Sequence, residues 1–143
     1  MELSQVTRIL GGQKVVGKRL QSRMDLVDLG SRGLTKDAVS HLARHLSLSL
    51  KGMAALLPVT ERSLQRYTAK QHLSPTVSEQ VLQIAEAVAR GTEVFGGKDR
   101  FLAWANQPST ALAGKKPLEL LGSRFGTDLV LDELGRIEHG IVS

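Results

Sequence analysis

The chain has 143 residues, 41% hydrophobic and 3% aromatic, with a formal net charge of +5 and no cysteine. That length allows one core or two small ones, and a core so poor in rings must be built from Leu, Val, Ala and Ile, which suits helix-on-helix packing. The lack of cysteine excludes disulfides and thiolate metal sites, no apolar run reaches the ~18 residues of a membrane span, and Met1-Glu2-Leu3-Ser4-Gln5 has no signal-peptide core; a cytoplasmic protein away from the membrane is expected.

Leu3, Val6, Ile9 and Leu10 line one face of a short N-terminal helix that Gly11-Gly12 ends. From Val15 to Leu29, Val16, Leu20, Met24 and Val27 recur at near-helical spacing and predict a second helix. Gly30-Ser31-Arg32-Gly33 breaks the chain. Thr35 is placed to cap the next helix, with Asp37 in its first turn, where a carboxylate suits the helix dipole. Val39, Leu42, Ala43 and Leu46 then form one buried stripe. Ser49 caps a short helix holding Met53, Ala54 and Leu57, which Pro58 stops, and Thr60 caps another.

Ser74-Pro75 opens a long helix, with proline at the first helical position, where its missing N–H costs nothing. Val77, Val81, Ile84, Ala85 and Val88 point inward, and Gly91 and then Gly96-Gly97 end the block. A helical piece from Asp99 to Ala105 carries Phe101, Leu102 and Trp104. After a loop with Pro108 and Gly114, Pro117 opens a helix with Leu118, Leu120 and Leu121. Ser123 caps the last helix, which carries Leu129, Val130, Leu134 and Ile137. Gly140 sits at its left-handed end, with Ile141 folding back. No strand alternation, internal repeat or low-complexity tract is visible. The expected architecture is all-α: a helical segment of unassigned role over 1–24, a larger domain over 25–94 and a small helical domain over 95–143.

Two short helices joined by a tight turn, Leu48 to Tyr67, have the pattern of a helix-turn-helix. Ala54 is small where the helices cross, and Val59 and Leu64 lock the second helix on the first. Arg62 and Arg66, four apart, share one face, with Glu61 and Gln65 beside them. An arginine that bonds both O6 and N7 of guanine gives ~1–3 kcal/mol of discrimination, and a glutamate accepts from a cytosine amine. Ser49, Lys51 and Thr60, with the helix N-terminal amides, are placed to hold phosphates.

Charge supports this. Residues 1–94 carry 13 Lys/Arg and 8 Asp/Glu, whereas residues 95–143 carry 6 of each. Between His41 and Ser78, Arg44, Lys51, Arg62, Arg66 and Lys70 face a single acid, Glu61, so the basic surface coincides with the motif. Pro58 stands where such turns often carry glycine, so a turn without a left-handed residue is required.

The stretch Phe101-Leu102-Ala103-Trp104-Ala105-Asn106-Gln107-Pro108, with Ala111-Leu112, Gly114 and Pro117-Leu118-Glu119-Leu120-Leu121, resembles the toxin-binding domain of Xre/MbcA/ParS-type antitoxins. Gly126, Val130, Leu134-Gly135-Arg136-Ile137 and Gly140 continue the pattern. So do Leu64-Gln65-Arg66, Leu73-Ser74-Pro75, Ser78 and Val94-Phe95-Gly96, so the resemblance spans about residues 25–143. It implies a type II antitoxin that neutralises a RES-class toxin, a NAD-consuming enzyme. It also implies binding to its own promoter DNA as a homodimer, with no catalysis and no cofactor.

The family often has Trp-Leu where this chain has Trp104-Ala105, which implies a shallower toxin contact. It also often has threonine where this chain has Ser123, an equally good cap. Residues 1–24 match no part of the pattern. Trp104, Leu118, Leu121, Val130, Leu134 and Ile137 read as core. Exposed residues are the expected toxin contacts: Lys115, Lys116, Arg124, Glu138, His139 and the tail Ile141, Val142 and Ser143. Asp132, Glu133, Glu138 and the terminal carboxylate are expected to offer toxin arginines a decoy anion.

Other signals are bland. His41 and His45, four apart, lack a third metal ligand and read as a solvated or DNA-facing pair. Carboxylates near His139, and serines without an elbow motif, give no catalytic constellation. Gly11-Gly12 and Gly96-Gly97 lack the lysine of a phosphate loop. The alternative to an antitoxin is a stand-alone helix-turn-helix regulator whose C-terminal domain dimerises or senses a ligand.

Overall fold

The computed structural model describes residues 2–140. They form α1 (Glu2–Ile9), α2 (Gln13–Val16), α3 (Arg23–Arg32), α4 (Lys36–His45), α5 (Leu50–Ala54), α6 (Glu61–Arg66), α7 (Pro75–Phe95) and α8 (Lys98–Ala105). A 3₁₀ turn (Thr110–Leu112), α9 (Pro117–Leu120) and α10 (Arg124–Glu138) follow. Among the described residues extended pairing is limited to two isolated bridges, Thr35 with His72 and Ser109 with Lys115. The all-α expectation therefore holds.

The helix α7 is the axis of the molecule. It packs against α1, α3, α8 and α10, and its buried residues, Val77, Val81, Leu82, Ile84, Ala85, Ala87, Val88 and Ala89, cover more than half of its circumference. A broad apolar face suits a central helix, and Glu79, Gln83, Glu86, Arg90 and Glu93 form its one polar stripe. Ser74 starts it, its hydroxyl accepting from the Val77 amide at 3.3 Å. Gly96 ends it in the left-handed region, where the amides of Gly96 and Gly97 donate to the Glu93 and Thr92 carbonyls at 3.2 and 3.0 Å. Ser78, fully buried, accepts from the Leu34 amide at 2.8 Å and so satisfies the α3–α4 corner.

Gly91 does not end α7, as the sequence suggests. It lies inside the helix, where a Cβ would collide with the ring of Phe101 on α8. Its role is close approach rather than chain breaking. Phe101 is fully buried there, and the rings of Phe95 and Trp104 pack tilted against it at centroid distances of 6.5 and 6.1 Å.

The expected helix over Val15–Leu29 is two helices with a loop between. Gly17, in the left-handed region, ends α2. The Asp25 carboxylate then accepts from the amides of Gln21 and Ser22 at 2.8 and 3.0 Å and starts α3. These backbone bonds hold the Asp25 carboxyl below its ordinary pKa. In α3 the inward residues are Leu26 and Leu29, while Met24 and Val27 are exposed. Gly30 is helical and buried against α7, so the chain breaks at Gly33, where the backbone is left-handed.

Candidate functional site

The helix-turn-helix is α5, a turn and α6. Ser49 Oγ accepts from the Gly52 amide at 3.1 Å, and Thr60 Oγ1 accepts from the Ser63 amide at 3.0 Å. Caps of this kind contribute ~1 kcal/mol each. Ala54 is buried at the crossing, Leu64 is fully buried, and Val59 is half-buried beside them. No residue of the turn has positive φ. Instead the amides of Leu56 and Leu57 bond back to Met53 and Ala54, both at 3.0 Å, and Val59 bonds to Leu57 at 2.8 Å. A run of tight turns thus accommodates Pro58.

With Leu64 as anchor, Arg62, Gln65 and Arg66 project into solvent, and Glu61 is half-exposed at the first turn. Lys51 and Lys70 are exposed on either side of the helix in sequence. Sequence reasoning missed Lys36. Its Nζ donates to the carbonyls of Gln65 and Tyr67 at 3.4 and 2.9 Å, closing the C-terminus of α6 where a cation suits the dipole. The partners lie about thirty residues apart, so no local signal marks them. His41 and His45 do not face outward as a pair. The His41 ring packs on Gly11 with Nδ1 2.8 Å from the Asp37 carbonyl, and His45 is half-buried with its pKa lowered by burial and then by Lys98.

In the C-terminal region, Lys115, Lys116, Arg124, Glu138 and His139 are exposed. Ile141, Val142 and Ser143 lie outside the described residues. The exposed residues are not one cluster. Arg124 and Glu138 fall on the side of α10 turned toward α7. Arg124 lines a cleft with Thr127, Asp128 and the Arg23–Glu86 ion pair, and Glu138 is bound by Arg90. That bond lowers the Glu138 pKa. Glu133 is buried, its Oε1 accepting from Arg136 Nε at 2.8 Å. Two of the three decoy carboxylates on the last helix are thus engaged within the chain. Ala105 is fully buried, so the Trp-Leu departure alters core packing and not a partner contact.

Sequence reasoning passed over Phe125 and gave Leu129 no role beyond membership of the last helix, yet Phe125 is 83% and Leu129 50% exposed. They lie four apart on one side of α10 and are exposed among the described residues. Ser123 Oγ accepts from the Gly126 amide at 3.0 Å and fixes the turn that carries Phe125. Gly126 abuts the Leu120 carbonyl too closely for any side chain. An exposed ring on a fixed turn is a ready anchor for a protein partner.

Residues 90–140 match the model of the antitoxin Xre/MbcA/ParS C-terminal toxin-binding domain, and residues 25–86 match that of the antitoxin Xre-like helix-turn-helix domain. The chain belongs to the Xre/MbcA/ParS antitoxin family. Its relatives include the antitoxin Xre of Yersinia enterocolitica, 28% identical over 120 residues, covering 82% of this chain and 81% of that one. Another is the antitoxin Xre of Photorhabdus laumondii, 29% identical over 80 residues, or 55% and 54% of the two chains. Its fold is similar to that in the M. tuberculosis MbcT-MbcA toxin-antitoxin complex, with TM-score 0.55, 19% identity, and 76% of this chain and 96% of that one covered.

The protein is therefore an antitoxin of a toxin–antitoxin system, built from a helix-turn-helix domain and a toxin-binding domain. Phe125 and Leu129 fall within the toxin-binding match, whereas residues 1–24 precede both matches. Among the described residues no helix is long and apolar enough to cross a membrane, and no cluster of three or more His, Asp or Glu is placed to hold a metal.

Proposed function

We propose that this antitoxin neutralises a toxin of the NAD-consuming RES class and represses its own operon by binding promoter DNA as a homodimer. The observation that carries the DNA half is α6: one buried anchor, Leu64, beneath exposed Arg62, Gln65 and Arg66. That is the arrangement a helix needs to present donors to base edges in the major groove. The family resemblance supports the toxin class. The toxin-facing surface centres on Phe125 and Leu129, and Lys115, Lys116, Arg124 and His139, exposed elsewhere in the same domain, are further candidate contacts. Glu138 contributes mainly by holding α10 to α7 through Arg90.

The test is to co-express the chain with the product of the adjacent reading frame, and to follow complex formation, NAD loss and binding to the upstream promoter. One stoichiometric complex with NAD consumption silenced is the expected result. A neighbour that neither binds the chain nor consumes NAD would remove the RES assignment. Promoter binding lost without change in toxin neutralisation when Arg62→Ala and Arg66→Ala are combined is the expected mark of α6.

A further inference from the structure

Residues 1–24 contain five cations, Arg8, Lys14, Lys18, Arg19 and Arg23, against one acid, Glu2. Two of the five are neutralised within the chain. Lys18 pairs with Asp25 and Asp28 at 3.3 and 3.4 Å, and Arg23 pairs with Glu86 at 2.7 Å. Arg8, Lys14 and Arg19 form no ion pair with any described side chain. Arg8 and Arg19 line a cleft of about 570 Å³ between α1 and the loop after α2, with Ser4 and Gln21 as further polar lining residues. A shallower cleft of about 610 Å³, containing Lys14, adjoins it through Gln13 and Arg19.

This basic cleft is continuous with the helix-turn-helix. At the end of α6, Tyr67 O accepts from Lys36 Nζ at 2.9 Å, and the Lys36 amide donates to Gln71 O at 3.1 Å. The His72 ring lies 2.7 Å from the Gly33 carbonyl, and Arg32 Nη2 donates to Val16 O at 3.1 Å. One surface thus runs from α6 through the 67–73 segment and the α3–α4 corner to the end of α2. Arg66, Lys70, Arg32, Lys14 and Arg19 stand exposed along it. The segments 13–19, 32–36 and 66–73 that build it contain no Asp or Glu. Two acids adjoin it: Asp37, whose amide donates to Ala69 O at 2.9 Å, and Asp28, which pairs with Lys18 at 3.4 Å. A predominantly basic ridge that ends in a two-arginine cleft suits a polyanion of repeating phosphates.

We propose that the 1–24 segment extends the DNA-binding surface, its Arg8–Arg19 cleft holding backbone phosphates that flank the site read by α6. The inference rests on the DNA-binding reading above, and it assigns a role to a part of the chain that precedes both family matches. Phosphate contacts of this kind position the protein without reading bases, so the cleft adds affinity and not sequence preference.

The experiment uses the full chain, a duplex from its own promoter and a scrambled duplex, with affinity measured across salt. Two lost phosphate contacts make the slope of log K against log salt shallower by about 1.8, at ~0.9 per contact. In Arg8→Gln with Arg19→Gln the expected result is that change in slope and binding ~30-fold weaker near 0.15 M salt, by the same factor on both duplexes. Preference for the promoter, toxin neutralisation and the thermal midpoint stay unchanged, and Arg8→Lys with Arg19→Lys restores the slope. An unchanged slope in the glutamine variant, with wild type and promoter still binding, overturns the inference and leaves the α6 reading standing. Wild type that binds no promoter duplex overturns the reading itself. Thermal stabilisation by inorganic phosphate that the glutamine variant loses, with the slope unchanged, marks a free-anion site and also overturns it.

Discussion

Helices α6 and α10 give one small helical protein two surfaces of contrasting chemistry. In α6, six residues long, one leucine is buried and arginines and a glutamine face out. In α10, fifteen residues long, a buried face anchors the helix on α7, two of its four acids are engaged within the chain, and a phenylalanine and a leucine face out. The first surface offers charge and forked donors, which a polyanion rewards. The second offers apolar area, which a protein partner rewards. The net charges of the two regions differ in the same sense, with the whole excess of +5 in residues 1–94.

The α10 surface packs directly on α7 and the α6 surface reaches it through α5, α4 and α1, so the strongest way to erase the contrast is to loosen α7. Phe101 is fully buried against Gly91, and Phe101→Ala is expected to cost ~3–5 kcal/mol. Denaturant unfolding should register that loss, and promoter binding and toxin neutralisation should fail together. Loss of one activity with the other intact would mean that α7 does not couple the two regions.

Surface changes should instead separate the functions. Arg62→Ala with Arg66→Ala is expected to weaken promoter binding by about a hundredfold or more, at ~1–3 kcal/mol per bidentate contact, with the toxin complex unchanged. Phe125→Ser with Leu129→Ser should do the reverse. It should weaken the toxin complex by roughly 30-fold, the size of a modest hot spot of ~2 kcal/mol, while promoter affinity and stability hold, because both side chains already face solvent. Calorimetric titration of both partners on both variants checks the pair. If the serine variant binds toxin like wild type, the toxin does not dock on this side of α10.

Positioning can be separated from contact by Lys36→Met, which removes the ammonium that closes the end of α6 but no exposed donor of the recognition face. A loss of ~1 kcal/mol in stability is expected, as for other charged groups at helix ends, with a matching small loss in promoter affinity.

What the sequence disclosed was mainly local. Thr35, Ser49, Thr60, Ser74 and Ser123 each stand one residue before a helix, and each side chain accepts from an amide three residues on. A cap is a short-range device, so it reads well from spacing. Helix α6 was visible for the same reason. The misses are long-range. Lys36 reaches the end of α6, and Arg90 reaches Glu138, across 31 and 48 residues. Gly91 has the composition of a breaker, and only the ring of Phe101 across the interface explains it. Met24 and Val27 fit a helical period as well as Leu26 and Leu29 do, and the position of α7 decides which pair is buried.

The smallest effect belongs to the junction between the regions. His45 ends α4, is half-buried, and feels Lys98 at the start of α8. Burial, and then the lysine charge, hold its pKa below the ordinary 6.5. Between that value and its lower folded one, the unfolded chain takes up a proton that the folded chain refuses. Its contribution is therefore fully present above pH 6.5 and is lost as pH falls through the folded pKa. Chemical unfolding at pH 7.5 and pH 5.5 should show a modest loss at the lower pH, and His45→Gln should flatten it. The interval lies above the ordinary carboxyl values of 3.8 for Asp25 and 4.5 for Glu138, whose depressed pKa values add losses only in stronger acid. If the loss persists undiminished in His45→Gln, it arises elsewhere, and the α4–α8 junction is not its source.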